Sequence, residues 1–146
     1  FIFHTKEANC VTAVRRTLAV TFAHGPHSQL SLYDIVSIYS PSTKVEHKLK
    51  VVFINKSFDL IVLESPQPLC PADPILRLPA AGEAYIQLSI TQPYSTPAIS
   101  ATRGLILSSH LVGSGQILGS AQPAVGDLAG GCFHEASGAL IGLYMG

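Results

Sequence analysis

The chain has 146 residues, 47% of them apolar and 12% charged, with 12 glycines, 10 prolines and a formal net charge of zero. That length holds one domain with a substantial core and not two ordinary ones. Zero net charge offers no positive field for phosphate backbones or anionic lipid, so neither nucleic acid nor membrane is an expected partner, and no apolar run approaches the ~20 residues that cross a bilayer.

Strand-length apolar runs follow one another along the first half: Cys10–Val14, Thr17–Thr21, Leu30–Tyr39, Leu49–Ile54 and Phe58–Leu63. Five prolines between Ser65 and Pro79 then withhold the donors that a central strand must supply, which predicts a crossing linker over 65–80. Beyond it come Ala84–Ile90, Gly104–Ser108, Gln116–Leu118, Cys132–His134 and Ala139–Met145, bounded by Gly, Pro and Ser clusters. No segment has the periodicity of an amphipathic helix. Short strands on both sides of an extended linker predict an all-β domain of two small antiparallel barrels, 1–64 and 81–146, with a single β-sandwich as the structural alternative.

Cys10, Cys70 and Cys132 are odd in number and widely spaced, which argues against a disulfide framework and a zinc knuckle and favours a reducing, intracellular setting. The first residues, Phe-Ile-Phe, carry no initiator Met or leader pattern, so excision from a longer precursor is expected.

Three segments carry chemistry. Leu18–Phe22 is an apolar strand that runs into Ala23-His24 and then Gly25-Pro26, so an imidazole stands at the exit of a rigid element with its ring free to reach a neighbour. A surface histidine after an edge strand would look the same. Asp59 precedes Leu60–Leu63, a carboxylate at the mouth of an apolar strand; such a group has either a designated partner or a turn-capping role. Gly126-Asp127-Leu128-Ala129-Gly130-Gly131-Cys132 is rich in the residue that permits positive φ and close backbone approach, as an anion-binding loop requires and as a simple hairpin loop also allows.

In this order and spacing the three segments resemble the chymotrypsin-like peptidases, above all the small disulfide-free intracellular and viral members, which carry Thr-Ala-Ala-His, Asp-x-Ala-Leu-Leu and Gly-x-Ser-Gly-Gly or Gly-x-Ser-Gly-Ser. In that family glycines fall near nine and thirteen residues after the nucleophile, as Gly138 and Gly142 do after Ala129. This phase selects Ala129 as the nucleophile position. The resemblance then implies that His24 is the general base, that Asp59 orients its far ring nitrogen, and that the backbone N–H groups of Asp127 and Ala129 form the oxyanion hole. It further implies that Pro123, Ala124, Val125 and Gly126, together with Tyr144, Met145 and Gly146, flank the substrate side chain before the cut bond. With no charged group among these wall residues, an apolar or aromatic side chain is the expected choice.

The resemblance implies a serine-type endopeptidase acting on peptide or protein, including its own precursor or a polyprotein, and without a cofactor. Alanine at the nucleophile position removes that activity, since loss of a triad nucleophile costs on the order of 10⁶ in turnover. Two explanations stand: a serine, or a cysteine, replaced to stop self-cleavage, or a natural pseudopeptidase that binds extended peptides in the cleft. Intact His24 and Asp59 favour the first, and the altered Asp127-Leu128 pair favours the second. Cys132 lies three residues past Ala129 and reads as a buried strand residue, not a displaced thiol. His24-x-x-His27 interrupted by Gly25-Pro26 is a turn before it is a metal pair, so no metal is expected. His4, His47, His110 and His134 sit among polar residues and are expected to face solvent, and the lysines of 44–50 read as a solvated strand face.

Overall fold

The computed structural model describes residues 1–91, 96–112, 116–122 and 128–145. Among these, eleven strands and one 3₁₀ turn form two sheets in succession. β1 (Ile2–His4), β2 (Cys10–Arg15), β3 (Leu18–Thr21), β4 (Ile35–Tyr39), β5 (Glu46–Asn55) and β6 (Leu60–Glu64) close into an antiparallel barrel of order β1-β2-β3-β6-β5-β4. Its lumen is filled by Phe3, Val11, Ala13, Ala19, Ile38, Leu49, Val51, Ile61 and Leu63, all buried. Alternating apolar positions of six tilted strands converge on one axis, so the barrel core comes from the period-two pattern visible in the sequence.

β7 (Ala84–Thr91), β8 (Ala98–Val112), β9 (Gln116–Gly119), β10 (Gly131–His134) and β11 (Leu140–Leu143) form a five-stranded sheet of order β11-β10-β7-β8-β9. This curled half-barrel packs on the first barrel through Ile2 and Cys10 on one side and Ile90, Phe133 and Leu140 on the other. The architecture is the chymotrypsin-like pair of β-barrels that the sequence motifs implied. The proline-rich stretch after β6 is irregular and crosses between the sheets, bridging Leu76 to Leu140 in parallel. The Arg77 N–H donates to the Leu140 carbonyl, and the Leu140 N–H donates to the Ile75 carbonyl.

Three expectations change. β1 was not anticipated, because Ile-Phe-His is too short to show a period; pairing with β2 and β4 buries all three of its residues. His4 is therefore a core residue at 6% exposure, donating its Nδ1–H to the Thr5 carbonyl and stacked on Tyr39, and does not face solvent. His134 is also largely shielded. Its Nε2 meets Glu83 Oε2 at 2.7 Å and its Nδ1 meets Ser137 Oγ at 2.9 Å, while the Arg77 guanidinium holds the same carboxylate. Finally, 30–34 is turn and not strand: Tyr33 takes φ +72°, and its N–H and the Asp34 carbonyl both pair with Val51.

Candidate active site

β3 delivers the imidazole. Its last residue, Thr21, anchors the strand end by donating its hydroxyl to the Cys10 carbonyl at 2.9 Å, and Phe22 and Ala23 are buried beyond it. His24 then turns out of the sheet, with a half-exposed side chain. The next residues form the 3₁₀ turn Gly25–His27, with Gly25 at φ +57° and proline at its start, so the chain leaves the site at once.

Asp59 ends the turn that joins β5 to β6. It sits at φ +57°, a left-handed conformation that Asp tolerates better than most side chains. From there its carboxylate serves three donors. Oδ1 accepts the backbone N–H groups of Ala23 at 2.8 Å and His24 at 2.9 Å, and Oδ2 lies 2.6 Å from His24 Nδ1. The structure thus brings together the two side chains that the sequence motifs paired. The two meanings weighed for Asp59, partner and cap, are both fulfilled by one carboxylate. In the neutral ring an Nδ1–H donated to Asp59 Oδ2 leaves Nε2 as the nitrogen without a proton.

His27 turns inward and is buried. Its Nδ1 lies 2.9 Å from the Phe22 carbonyl and its ring stacks on Phe22 at 4.3 Å. Burial holds its pKa below the ordinary imidazole value, against the opposing pull of the Phe22 hydrogen bond.

Ala129 differs from the expectation. It is fully buried, it takes φ +65°, and both of its backbone groups are bonded. Its N–H donates to the Tyr144 carbonyl at 2.7 Å, and its carbonyl accepts the Thr12 hydroxyl at 2.7 Å. In this structure the amide expected in the oxyanion hole is given to Tyr144. Leu128, one residue earlier, is partly exposed. Thr12 lies on β2, the strand that pairs with β3, so this hydrogen bond ties the 128–130 turn to the strand pair that carries His24.

Asp127, the other expected oxyanion donor, and the expected wall residues Pro123, Ala124, Val125, Gly126 and Gly146 lie outside the described residues. Tyr144 and Met145 do line a hollow, of about 570 Å³, on the second sheet. Cys132 lines it too, and burial pushes its thiol up to about 12, so it is protonated at neutral pH and is no nucleophile. Sequence reasoning missed Thr12, a fully buried hydroxyl inside an apolar strand, and Gln87, a fully buried amide on β7. A lone polar residue in an apolar run was the available signal for each.

No protein-family model and no curated protein matches the sequence. Among solved structures, the chain is similar to the MamO protease domain from Magnetospirillum magneticum in its apo form, with a TM-score of 0.68 and 16% identity over 99% of this chain and 82% of that one. At that identity the likeness is one of fold, and the fold is that of a chymotrypsin-like protease domain.

Proposed function

We propose that this chain is a serine-endopeptidase-type domain in a form without a nucleophile, which holds extended polypeptide in the cleft between its sheets and does not hydrolyse it. The observation that carries this reading is the His24–Asp59 pair, assembled at 2.6 Å, in a chain whose glycine-rich turn offers only Leu128 and Ala129. A base and its orienter are of no use for acyl transfer without a hydroxyl or thiol to activate.

Within this reading Leu128, not Ala129, occupies the nucleophile position. Ala129 holds a left-handed φ of +65° that favours glycine and falls where Gly-x-Ser-Gly-Gly has the glycine just after Ser, and Gly126 and Gly130 match the other two glycines of that phase. The tail spacing pointed to Ala129 instead. The extra residue in the β10–β11 ladder, Ile141, follows Gly138, so it bears on the Gly142 offset and not on that of Gly138. A leucine in place of serine is hard to reconcile with a minimal silencing substitution, and this favours a natural pseudopeptidase. Support for polypeptide as the ligand comes from β11, which ends the sheet: the linker covers its outer edge at Leu140, leaving the edge beyond for strand addition.

The test compares Leu128→Ser with Ala129→Ser, using a fluorophosphonate probe for activated serine and a library of extended peptides for binding. The unsubstituted chain is expected to bind peptides without cutting them. Leu128→Ser is expected to label in a manner abolished by His24→Ala, and Ala129→Ser to stay unlabelled. Labelling of Ala129→Ser alone would restore the later phase and the silenced-endopeptidase reading. Absence of peptide binding by the unsubstituted chain would remove the proposed function.

A further inference from the structure

We infer that the hollow of the second sheet is a binding site for a small, neutral, largely apolar molecule that carries one hydrogen-bond acceptor, and that Gln87 receives this acceptor. The hollow shares Tyr144 and Met145 with the expected substrate wall, while the inference concerns Gln87 on β7, and nothing in it depends on a nucleophile.

The hollow measures about 570 Å³, within the range of about 300 to 1,000 Å³ typical of small-molecule sites. It is far larger than the roughly 30 Å³ that one water takes up in the liquid. Ile106, Ile141 and Cys132 supply apolar wall, and Leu78, Leu111 and Leu118 stand exposed at its margin. No residue lining it among those described is charged, so an ionic ligand would be buried without a counter-charge.

Gln87, Gln116, Tyr85 and Tyr144 bring polar atoms to this lining, and Gln87 is the fully buried amide among them. Gln87 lies in the middle of β7, on the same face as buried Tyr85 and Ser89, and is only 1% exposed. Its Nε2 has no hydrogen-bond partner among the described residues. A buried amide N–H without an acceptor is destabilising, and a bound group that supplies an acceptor relieves that cost. The neighbouring phenol is already placed. Tyr85 Oη accepts the Ala121 N–H at 3.2 Å, in space that exists only because 104 and 119 are glycines: a Cβ at Gly104 would lie 2.7 Å from the Tyr85 ring. The sheet thus keeps its large side chain pinned to one wall, and the volume beside it remains open in front of Gln87.

The experiment is an NMR titration of the ¹⁵N-labelled full chain with two probes of similar shape, 4-phenyl-2-butanone and butylbenzene. The ketone is expected to bind about tenfold more tightly, the worth of one buried hydrogen bond, and to shift the Gln87 side-chain amide. In Gln87→Leu the difference is expected to vanish, with the hydrocarbon binding at least as well as before. Failure of both probes to saturate would overturn the site. Equal binding of the two by the unsubstituted chain, or a ketone preference that survives Gln87→Leu, would overturn the role of Gln87. Should Gln87→Leu not fold, the Gln87 amide resonance of the unsubstituted chain decides: a shift with ketone and none with hydrocarbon supports the inference, and an unmoved amide refutes it. Neither probe contains a peptide group, so these results and those for peptide binding are read independently.

Discussion

Thr12 and Ala129, 117 residues apart, are joined by one hydrogen bond of 2.7 Å from a fully buried hydroxyl to a fully buried carbonyl. It fastens the glycine-rich turn of the second sheet to the barrel that carries His24. Thr12→Val keeps shape and removes the donor, leaving the Ala129 carbonyl without this partner in a dry site. The expected cost is about 1 to 3 kcal/mol in urea denaturation, with Thr12→Ser losing less. A Thr12→Val protein as stable as the parent would mean that the turn is held by the Ala129–Tyr144 and Tyr144–Gly130 bonds alone.

Asp59→Asn is expected to preserve the fold and reverse the imidazole. Asn also tolerates the left-handed backbone that Asp59 adopts, and its carbonyl oxygen can keep the Ala23 and His24 N–H groups. The amide NH₂ then faces Nδ1, which must accept, and the ring proton moves to Nε2. Imidazole ¹⁵N shifts report the change directly. An unchanged tautomer would show that Asp59 caps the Ala23–His24 backbone without orienting the ring. Asp59→Ala, which removes all three acceptor contacts and strains the turn, is expected to cost about 2 kcal/mol or more.

The alternation in β2, β3, β5 and β6 made most of the first barrel legible, because each strand buries alternate residues against one axis. β1 escaped because three residues carry no period; its place is set by pairing at both edges, a tertiary fact. β8 was underestimated for a different reason: Gly104 interrupts the pattern as a boundary would, whereas in the fold it makes room for Tyr85 inside one strand of 15 residues. His24 and Asp59 were readable because each stands where an apolar strand begins or ends, and their contact follows from the β3–β6 pairing, with Thr21 opposite Ile61. The state of Ala129 was not readable. Which of two adjacent residues is buried depends on backbone φ, and spacing in the sequence does not record it.

The packing of Tyr85 between two glycines predicts a specific coupling. A methyl at Gly119 would collide with the Tyr85 hydroxyl and the ring carbon that bears it. Gly119→Ala is therefore expected to destabilise the chain by about 1 to 3 kcal/mol, the usual range for overpacking. Tyr85→Phe removes the oxygen at the clash, so Gly119→Ala in that background is expected to cost less. A double-mutant cycle from thermal or urea unfolding measures the difference. Strictly additive losses would show that β9 moves aside and that the close approach does not fix Tyr85.

The lowered pKa of His27 makes a prediction about acid stability with a definite sign. Its ring is buried against Phe22 and donates from Nδ1 to the Phe22 carbonyl, so the folded state disfavours the second proton that the unfolded chain accepts at an ordinary value of about 6.5. Between that value and the lower folded one, the unfolded state binds more protons, and stability rises with pH there. Above pH 6.5 the contribution is fully present; it is lost as the pH falls through the window and is flat below the folded value. His27→Leu removes the titrating group while the other histidines titrate in both proteins. The stability difference between parent and variant, from urea unfolding at a series of pH values, is therefore expected to shift against the parent as the pH drops below about 6.5. A difference that stays constant from pH 8 to pH 4.5 would show that His27 takes up its proton in the folded chain as readily as in the unfolded one, through an opening of the Gly25–His27 turn that exposes the ring.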